Sequence, residues 1–267
     1  MAEILDFSIP TPPLEVQEEI VRILDLFTAL IFELKAELEA RKKQYEYYRE
    51  KLIIPKEING KWFLNGKEIE WKKLGDVGEF IRGNGLQKKD FTESGVGCIH
   101  YGQIYTYYNT YAYKTKSFVT EELAKRLKKV NKGDLIITNT SENIEDIGKT
   151  VAWLGENEIV TGGHATIFKH NQNSKYLAYY TQTKMFFNEK KKYARGTKVI
   201  EISTKDLAKI HIPIPTLSEQ QRIVEILDKF DTLVNDLSIG IPAEIEARQK
   251  QYEYYRGKLL SFKKLDK

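Results

Sequence analysis

A block of sequence near the N-terminus returns near the C-terminus, and this repeat limits the fold more than any other feature. Ile9 to Leu30 reads IPTPPLEVQEEIVRILDLFTAL, and Ile212 to Leu233 reads IPIPTLSEQQRIVEILDKFDTL. Glu39 to Leu52 (EARKKQYEYYREKL) returns as Glu246 to Leu259 (EARQKQYEYYRGKL). Two matched blocks in the same order mean one structural unit used twice. The spacing between blocks differs by four residues, which fall around Gly240-Ile241-Pro242.

Both copies have the spacing of helix. In the first, Ile20, Leu24, Phe27, Ile31, Leu34, Leu38, Tyr45, Tyr48 and Leu52 alternate by fours and threes, interrupted only at Arg41. That is a coiled-coil seam. A helix over 14–53 would be about 60 Å long at ~1.5 Å per residue. The second copy opens on Thr216-Leu217-Ser218-Glu219, a capping-box pattern, and its seam runs Ile223, Leu227, Phe230, Val234, Leu237. Gly240 and Pro242 should then break the helix, because proline fits a helix start and not its interior. The seam resumes at Ile245, Tyr252, Tyr255 and Leu259. The two segments are expected to pair antiparallel, which brings both ends of the middle segment to one place. The competing arrangement, two amphipathic helices laid on one globular core, fits poorly with helices this long and this polar outside the seam.

Between the repeats the pattern changes to short strands and turns. Trp71–Ile81 and Gly97–Tyr107 read as strands, as do Asp134–Thr138, Lys149–Leu154 and Glu158–Phe168, the last with a bend at Gly162-Gly163. Helices are expected over Glu121–Lys129 and Lys175–Ala194. The fold class is α+β: a mainly antiparallel sheet domain plus two long helices forming an antiparallel coiled coil. The expected division is 1–58, first long-helix segment; 59–211, middle domain; 212–267, second long-helix segment.

Catalytic motifs are missing from this pattern. Gly83-Asn84-Gly85 leads into Leu-Gln-Lys and only superficially resembles a phosphate loop. Cys98 and His100 are two apart, but with one cysteine and four histidines a four-ligand zinc site has no support. Glu189-Lys190-Lys191 resembles half a nuclease motif without a partnering Pro-Asp. The single cysteine excludes an intrachain disulfide and suits a reducing cytoplasm. No apolar run approaches the ~20 residues that span a bilayer, and no membrane partner is expected. Forty-two Lys and Arg against 38 Asp and Glu leave a net charge of +4. That permits nucleic-acid binding without arguing for it, since clustering matters more than the sum.

Four loops of the middle domain combine polar, basic and aromatic groups. In the first, Arg82, Lys88 and Lys89 suit phosphates, and Asn84 and Gln87 suit adenine edges. In the second, His100, Tyr101, Gln103, Tyr105 and Tyr107 lie on a segment that, as a strand, would project every second ring outward. The third offers Thr138, Asn139, Ser141 and Asn143 for base-edge hydrogen bonds. The fourth is Arg195-Gly196-Thr197-Lys198, with Arg195, Thr197 and Lys198 flanking a glycine turn. Each loop also has an ordinary structural reading, as turn, solvated lysine pair or half-buried sheet. The set of four favours duplex DNA as partner.

IPIPTLSEQQRIVEILDKFD and EARQKQYEYYRGKLL, their N-terminal counterparts, and the middle-domain stretches WKKLGDVGEFIRG, ITNTSENIEDIGKTVAWLG and ARGTKVIEIS carry a resemblance over nearly the whole chain. The sequence resembles the specificity subunit of type I restriction-modification systems. The resemblance implies two target-recognition domains separated by two long antiparallel helices that set the distance between the halves of a bipartite DNA site. It implies docking of methyltransferase subunits and recruitment of restriction subunits. It also implies a cytoplasmic, non-catalytic chain that binds no cofactor, with S-adenosylmethionine and ATP held by the partner subunits. This sequence departs from that pattern in having one recognition domain. The resemblance therefore leaves open a half-subunit that pairs with a second copy or another half-subunit, a one-domain monomer reading a half-site, or a silent cassette. A coiled-coil adaptor whose middle domain binds protein is the alternative from another class; a self-contained nuclease or methyltransferase has no motif behind it.

Overall fold

The computed structural model describes residues 9–262 and divides into two compact units. One unit comprises the chain up to Glu46 together with the chain from Asp228 onward, and the other is Tyr47–Leu227.

The first unit is built on helix α1 (Leu14–Ile53), whose residues up to Glu46 belong to it, on the end of the chain's penultimate helix from Asp228 and on the whole of its last helix. Those helices are α8 (Leu217–Asn235) and α9 (Ile241–Leu260); the labels follow chain order, and the intervening elements are given below. Burial follows the expected seam. Ile20 and Tyr45 are buried, and Leu24, Phe27, Ile31, Leu34 and Leu38 are half-buried. Off the seam, Val21, Leu26 and Phe32 are exposed. Phe27 stacks on Tyr255 with ring centroids 5.5 Å apart and touches Tyr252 at 6.5 Å. Tyr45 stacks on Phe230 at 6.3 Å, and its hydroxyl donates to Asp231 at 3.3 Å. Early residues of α1 thus meet the end of α9 while late ones meet α8, which is antiparallel packing.

The second copy breaks where glycine and proline require it. Asp236 accepts hydrogen bonds from the Ser238 and Ile239 amides, closing a turn that delivers Gly240 as the N-cap of α9. A Cβ at Gly240 would lie 2.5 Å from the Thr232 carbonyl, so only glycine fits. Pro242 then occupies the first turn, where its missing N–H costs nothing. Leu237, expected on the seam, lies in this turn and is exposed. The capping box of α8 is half-formed. Thr216 accepts from the Glu219 amide at 3.4 Å, but the Glu219 carboxylate turns to Arg222 at 2.6 Å and Asn65 at 2.8 Å, which lowers its pKa.

In the second unit, strands β1 (Lys56–Ile58), β2 (Lys61–Leu64) and β3 (Lys67–Glu68) form a small meander whose turns are Asn59-Gly60 and Asn65-Gly66. All four turn residues have positive φ, as tight hairpins need. Next come β4 (Glu70–Lys73), the single turn α2 (Leu74–Val77) and β5 (Gly78–Arg82). A 3₁₀ turn (Lys88–Asp90) precedes β6 (Val96–Ile99), α3 (Tyr101–Thr106), β7 (Tyr111–Ala112), β8 (Ser117–Val119), α4 (Glu121–Arg126) and β9 (Lys128–Val130). Then follow β10 (Leu135–Thr138), β11 (Thr140–Ser141), β12 (Thr150–Trp153), β13 (Ile159–Thr161) and β14 (Ala165–His170). The unit continues through α5 (Ser174–Tyr180), α6 (Lys184–Tyr193), β15 (Ile200–Glu201), α7 (Thr204–Leu207) and β16 (His211–Ile214) into α8.

Two sheets carry this unit, one ordered β5-β14-β10-β12-β7 and the other β8-β6-β13-β9. Pairing is antiparallel except between β12 and β7 and between β13 and β6. Because side chains alternate along a strand, β6 and β13 feed two cores. Ile99 and Ile159 join Ile136, Val151, Trp153 and Ile167 in the larger one, while Cys98 and Val160 join Leu86, Val119, Ala124 and Leu127 on the opposite face.

Four local expectations are corrected. Trp71–Ile81 is not one strand but strand, helical turn and strand. The Gly97–Tyr107 strand ends at Ile99, and Tyr101–Thr106 is helix, so His100, Tyr101, Gln103, Tyr105 and Tyr107 do not alternate across a pleat. The reason is local capping: His100 Nδ1 accepts from the Gly102 amide at 3.2 Å, and Gln103 Oε1 accepts from the His100 amide at 3.0 Å. The helix expected over Glu121–Lys129 stops at Arg126, because Lys128–Val130 pairs with β13. The helix expected over Lys175–Ala194 is two helices; Thr183 caps a fresh start by accepting from the Phe186 amide.

Candidate nucleic-acid interface

The loops singled out in the sequence leave the same end of the two sheets. In the five-stranded sheet Arg82 pairs with Thr166, Thr138 with Ala165 and Thr150 with Ile137, so Arg82, His164, Asn139 and Lys149 stand at one end. In the four-stranded sheet Ile99 and Lys128 both pair with Thr161, which puts His100, Gly162 and Lys128 at one end. The link Gly162-Gly163-His164 runs directly from β13 to β14 and joins these ends. The first loop crosses over it: a Cβ on Gly83 would sit 2.2 Å from the Gly162 carbonyl, so the two backbones touch only because this residue is glycine.

The third and fourth loops are tied by β11 pairing with β15, and the Arg195 and Glu201 backbones exchange two hydrogen bonds to close the 195–201 hairpin. Arg82 bridges the first loop to this hairpin, 2.7 Å from Glu201, and also donates to the Gly163 carbonyl. The second loop joins through Tyr105, whose hydroxyl donates to the Thr140 carbonyl, and through Lys149, which donates to the Tyr105 carbonyl at 3.2 Å. Thr140 Oγ1 lies 2.9 Å from His164 Nδ1.

A cleft of about 340 Å³ opens where the loops meet, lined by Tyr101, Tyr105, Ser141, Asn143, His164 and Val199 among others. Its aromatic wall is graded: Tyr101 contacts the His100 ring at 4.4 Å, the His164 ring at 4.8 Å and the Tyr105 ring at 6.2 Å. Burial, and then the charge of Lys88, lower the pKa of His100, favouring the neutral imidazole that accepts from Gly102. Burial raises the Tyr105 pKa, so its hydroxyl stays a donor.

Some candidate residues serve the frame. Thr138 and Asn139 are fully buried. Thr138 donates to the Asp146 and Lys149 carbonyls, and Asn139 donates to the Ile202 carbonyl while accepting from Thr166 at 2.6 Å. Neither offers an edge to a base. Gln103 is occupied by the His100 amide and Ser117. Gln87 caps the 3₁₀ turn that carries the exposed Lys88 and Lys89, and Asn84 donates to the Arg126 carbonyl at 2.9 Å. Asn143 exchanges two hydrogen bonds with Asp146 and shapes the loop's turn. Tyr107 is exposed beneath Lys116, whose Nζ is 4.4 Å from the ring centroid, and does not line the cleft. Arg195 donates to the Lys192 and Ala194 carbonyls, leaving Thr197 and Lys198 exposed at the hairpin tip.

Three contributors carried little sequence signal. His164 and Val199 line the cleft, yet each is a lone residue beside a glycine-containing turn. Lys190 lies in a run of three lysines that reads as surface, but it is buried, and its Nζ donates to the carbonyls of Glu145 at 2.8 Å and Ile147 at 2.5 Å. It holds the third loop from beneath, and burial lowers its pKa to about 8. Among the described residues no group of three or more His, Cys, Asp or Glu is arranged to hold a metal ion, and burial raises the Cys98 thiol to about 12. No helix among them is long and apolar enough to cross a membrane.

Residues 66–247 match the family model of the type I restriction modification DNA specificity domain. The chain is 38% identical over 259 residues to a type I restriction enzyme specificity subunit of Escherichia coli, covering 96% of this chain and 61% of that one. It is 31% identical to a putative type I specificity subunit of Mycoplasma pneumoniae, covering 96% of this chain and 92% of that one. The chain thus spans about three fifths of the E. coli relative and nearly all of the M. pneumoniae one. Among solved structures, the HsdS subunit of Thermoanaerobacter tengcongensis shares the fold with a TM-score of 0.58 at 20% identity, over 94% of this chain and 60% of that one. A chain from a structure of type I restriction-modification complex assembly gives 0.62 at 20% identity, with the same coverage. With the domain match spanning more than half its length, the chain belongs to the type I restriction-modification DNA specificity family.

Proposed function

We propose that the chain is a sequence-reading subunit of a type I restriction-modification complex, and that residues 59–211 read duplex DNA with the loop end of their two sheets. One observation carries this: four loops far apart in sequence converge around Gly162-Gly163-His164 and bring an aromatic cleft beside exposed cations. Aromatic and amide groups suit base edges, and cations suit the backbone. Within that set Tyr101, Ser141 and His164 face the cleft and are the base-reading candidates, while Lys88, Lys89, Thr197 and Lys198 belong to the rim. Methyltransferase subunits, and through them restriction subunits, are the protein partners; S-adenosylmethionine and ATP belong to those partners, and the complex works in the cytoplasm.

The test is co-expression with the cognate methyltransferase subunit in a host lacking adenine methylation, followed by genome-wide mapping of modified adenines. A motif with two symmetry-related halves supports two copies per complex, each reading one half. Methyltransferase that co-purifies without motif-linked methylation indicates a silent cassette or a missing second recognition domain. Absence of both supports the coiled-coil adaptor.

A further inference from the structure

The basic stretch that ends α4 and begins β9 was not among the four loops, yet it lies against the first of them. Asn84 donates to the Arg126 carbonyl at 2.9 Å, and Leu86 packs with Ala124 and Leu127 in one core. Lys128 pairs across the sheet with Thr161, one residue before the Gly162 link. Lys125, Arg126 and Lys128 therefore stand beside Lys88 and Lys89 at the loop end of the sheets.

Their charge state sets them apart from neighbouring cations. All five are exposed, and among the described residues none is paired with a carboxylate. The next cations along the chain are neutralised: Lys129 lies 3.3 Å from Glu158 and Lys132 lies 2.5 Å from Glu156. Strand alternation separates the two sets, since Lys128 and Lys129 point to opposite faces of β9. In α4 the acids Glu121 and Glu122 occupy the first turn, and Lys125 and Arg126 the last. The backbone that carries them is held, because Ala124 and Leu127, which flank Lys125 and Arg126, are buried and Thr120 caps the helix by accepting from the Leu123 amide.

We propose that Lys125, Arg126 and Lys128 extend Lys88 and Lys89 into one ridge that grips the phosphate backbone of duplex DNA beside the cleft. This rests on the DNA-reading function proposed above. A ridge of this kind contacts phosphates, so it adds affinity and salt dependence without sequence preference.

The test is fluorescence anisotropy of the full chain with labelled duplexes of several sequences over a salt series. For K125A/R126A/K128A the slope of log affinity against log salt is expected to shrink by about 2.7, at about 0.9 per phosphate contact. Affinity should fall alike for every sequence. The charge-preserving K125R/R126K/K128R should keep the slope, and K129A/K132A should leave it unchanged. Wild-type binding whose slope survives the triple alanine change removes the ridge and leaves the reading function standing. A wild-type chain that shows no salt-dependent binding overturns both.

Discussion

Replacing Lys190 with methionine isolates what a buried cation does beneath a recognition loop. Its Nζ donates to two carbonyls of the 141–148 segment, from Glu145 and Ile147, within a site closed to solvent. Methionine keeps most of the apolar stem but leaves both acceptors without this donor. At ~1–3 kcal/mol for each unsatisfied group, the loop should open locally, and Lys190→Met should raise amide exchange at Gly148 and Lys149, whose amides donate to the Thr138 and Asp146 carbonyls. The protonation linkage gives a sharper signature. The folded pKa of about 8 lies below the ordinary value of 10.5. Between these values the unfolded chain binds more protons than the folded one, so the contribution of Lys190 to stability rises with pH across pH 8 to 10.5. At 1.36 kcal/mol per pKa unit the rise is on the order of 3 kcal/mol. Urea melts of wild type and Lys190→Met at several pH values in this window should diverge, with only the wild type gaining this increment; tyrosine titration cancels in the difference. Parallel stability curves would refute a buried, charged Lys190.

Three further outcomes follow from the same kind of accounting. Burial lowers the pKa of His170 to about 4 from 6.5, so it stabilises the fold above pH 6.5 and that contribution is lost as pH falls to 4; acid-side melts of His170→Gln should lack this loss, on the order of 3 kcal/mol. Tyr45→Ala should cost ~3–5 kcal/mol by urea denaturation, because the ring is buried against Phe230. Gln220→Ala should cost ~2–3 kcal/mol, since this buried side chain bonds the Pro215 carbonyl, Gln172 and the Asn173 amide, whereas Gln17→Ala, with one bond to Pro12, should cost under ~1 kcal/mol; equal costs in thermal melts would contradict the difference in surroundings.

The long helices were legible because their information is periodic. A seam that repeats every seven residues fixes both the helix and the face it buries, and the structure's α1 has the expected bounds, Leu14 and Ile53. The break at Gly240-Ile241-Pro242 was legible because glycine and proline restrict the backbone itself. The second loop was not, because Tyr101–Thr106 has strand-like composition and its conformation is decided by two side-chain caps, His100 and Gln103. Composition likewise could not distinguish Asn139 from Ser141: both are small and polar, but Asn139 is fully buried against Ile202 and Thr166 while Ser141 borders the cleft. Lys190 marks the same limit. Its burial depends on where α6 comes to rest, which no spacing within a lysine run encodes.

The repeat separates what sequence sets locally from what surroundings set. Gln17 and Gln220 make the same bond five residues back, to the Pro12 and Pro215 carbonyls at 2.7 and 2.9 Å, so both copies start their helix alike. The next turn differs: Val21 is 56% exposed, and its counterpart Val224 is 3% exposed. The cover at the second copy acts on the main chain of β16 and on the Gln220 side chain. Asn173 bonds Gln220 through its amide, and the hydroxyls of Tyr176 and Tyr180 donate to the carbonyls of Pro213 and His211. Every domain can present a backbone amide, and β16 presents its carbonyls whatever its side chains. The junction therefore asks for Gln172, Tyr176 and Tyr180 beside α8 and β16 but for no residue of the recognition loops, so the loops at the opposite end of the sheets can change sequence while this junction stays the same.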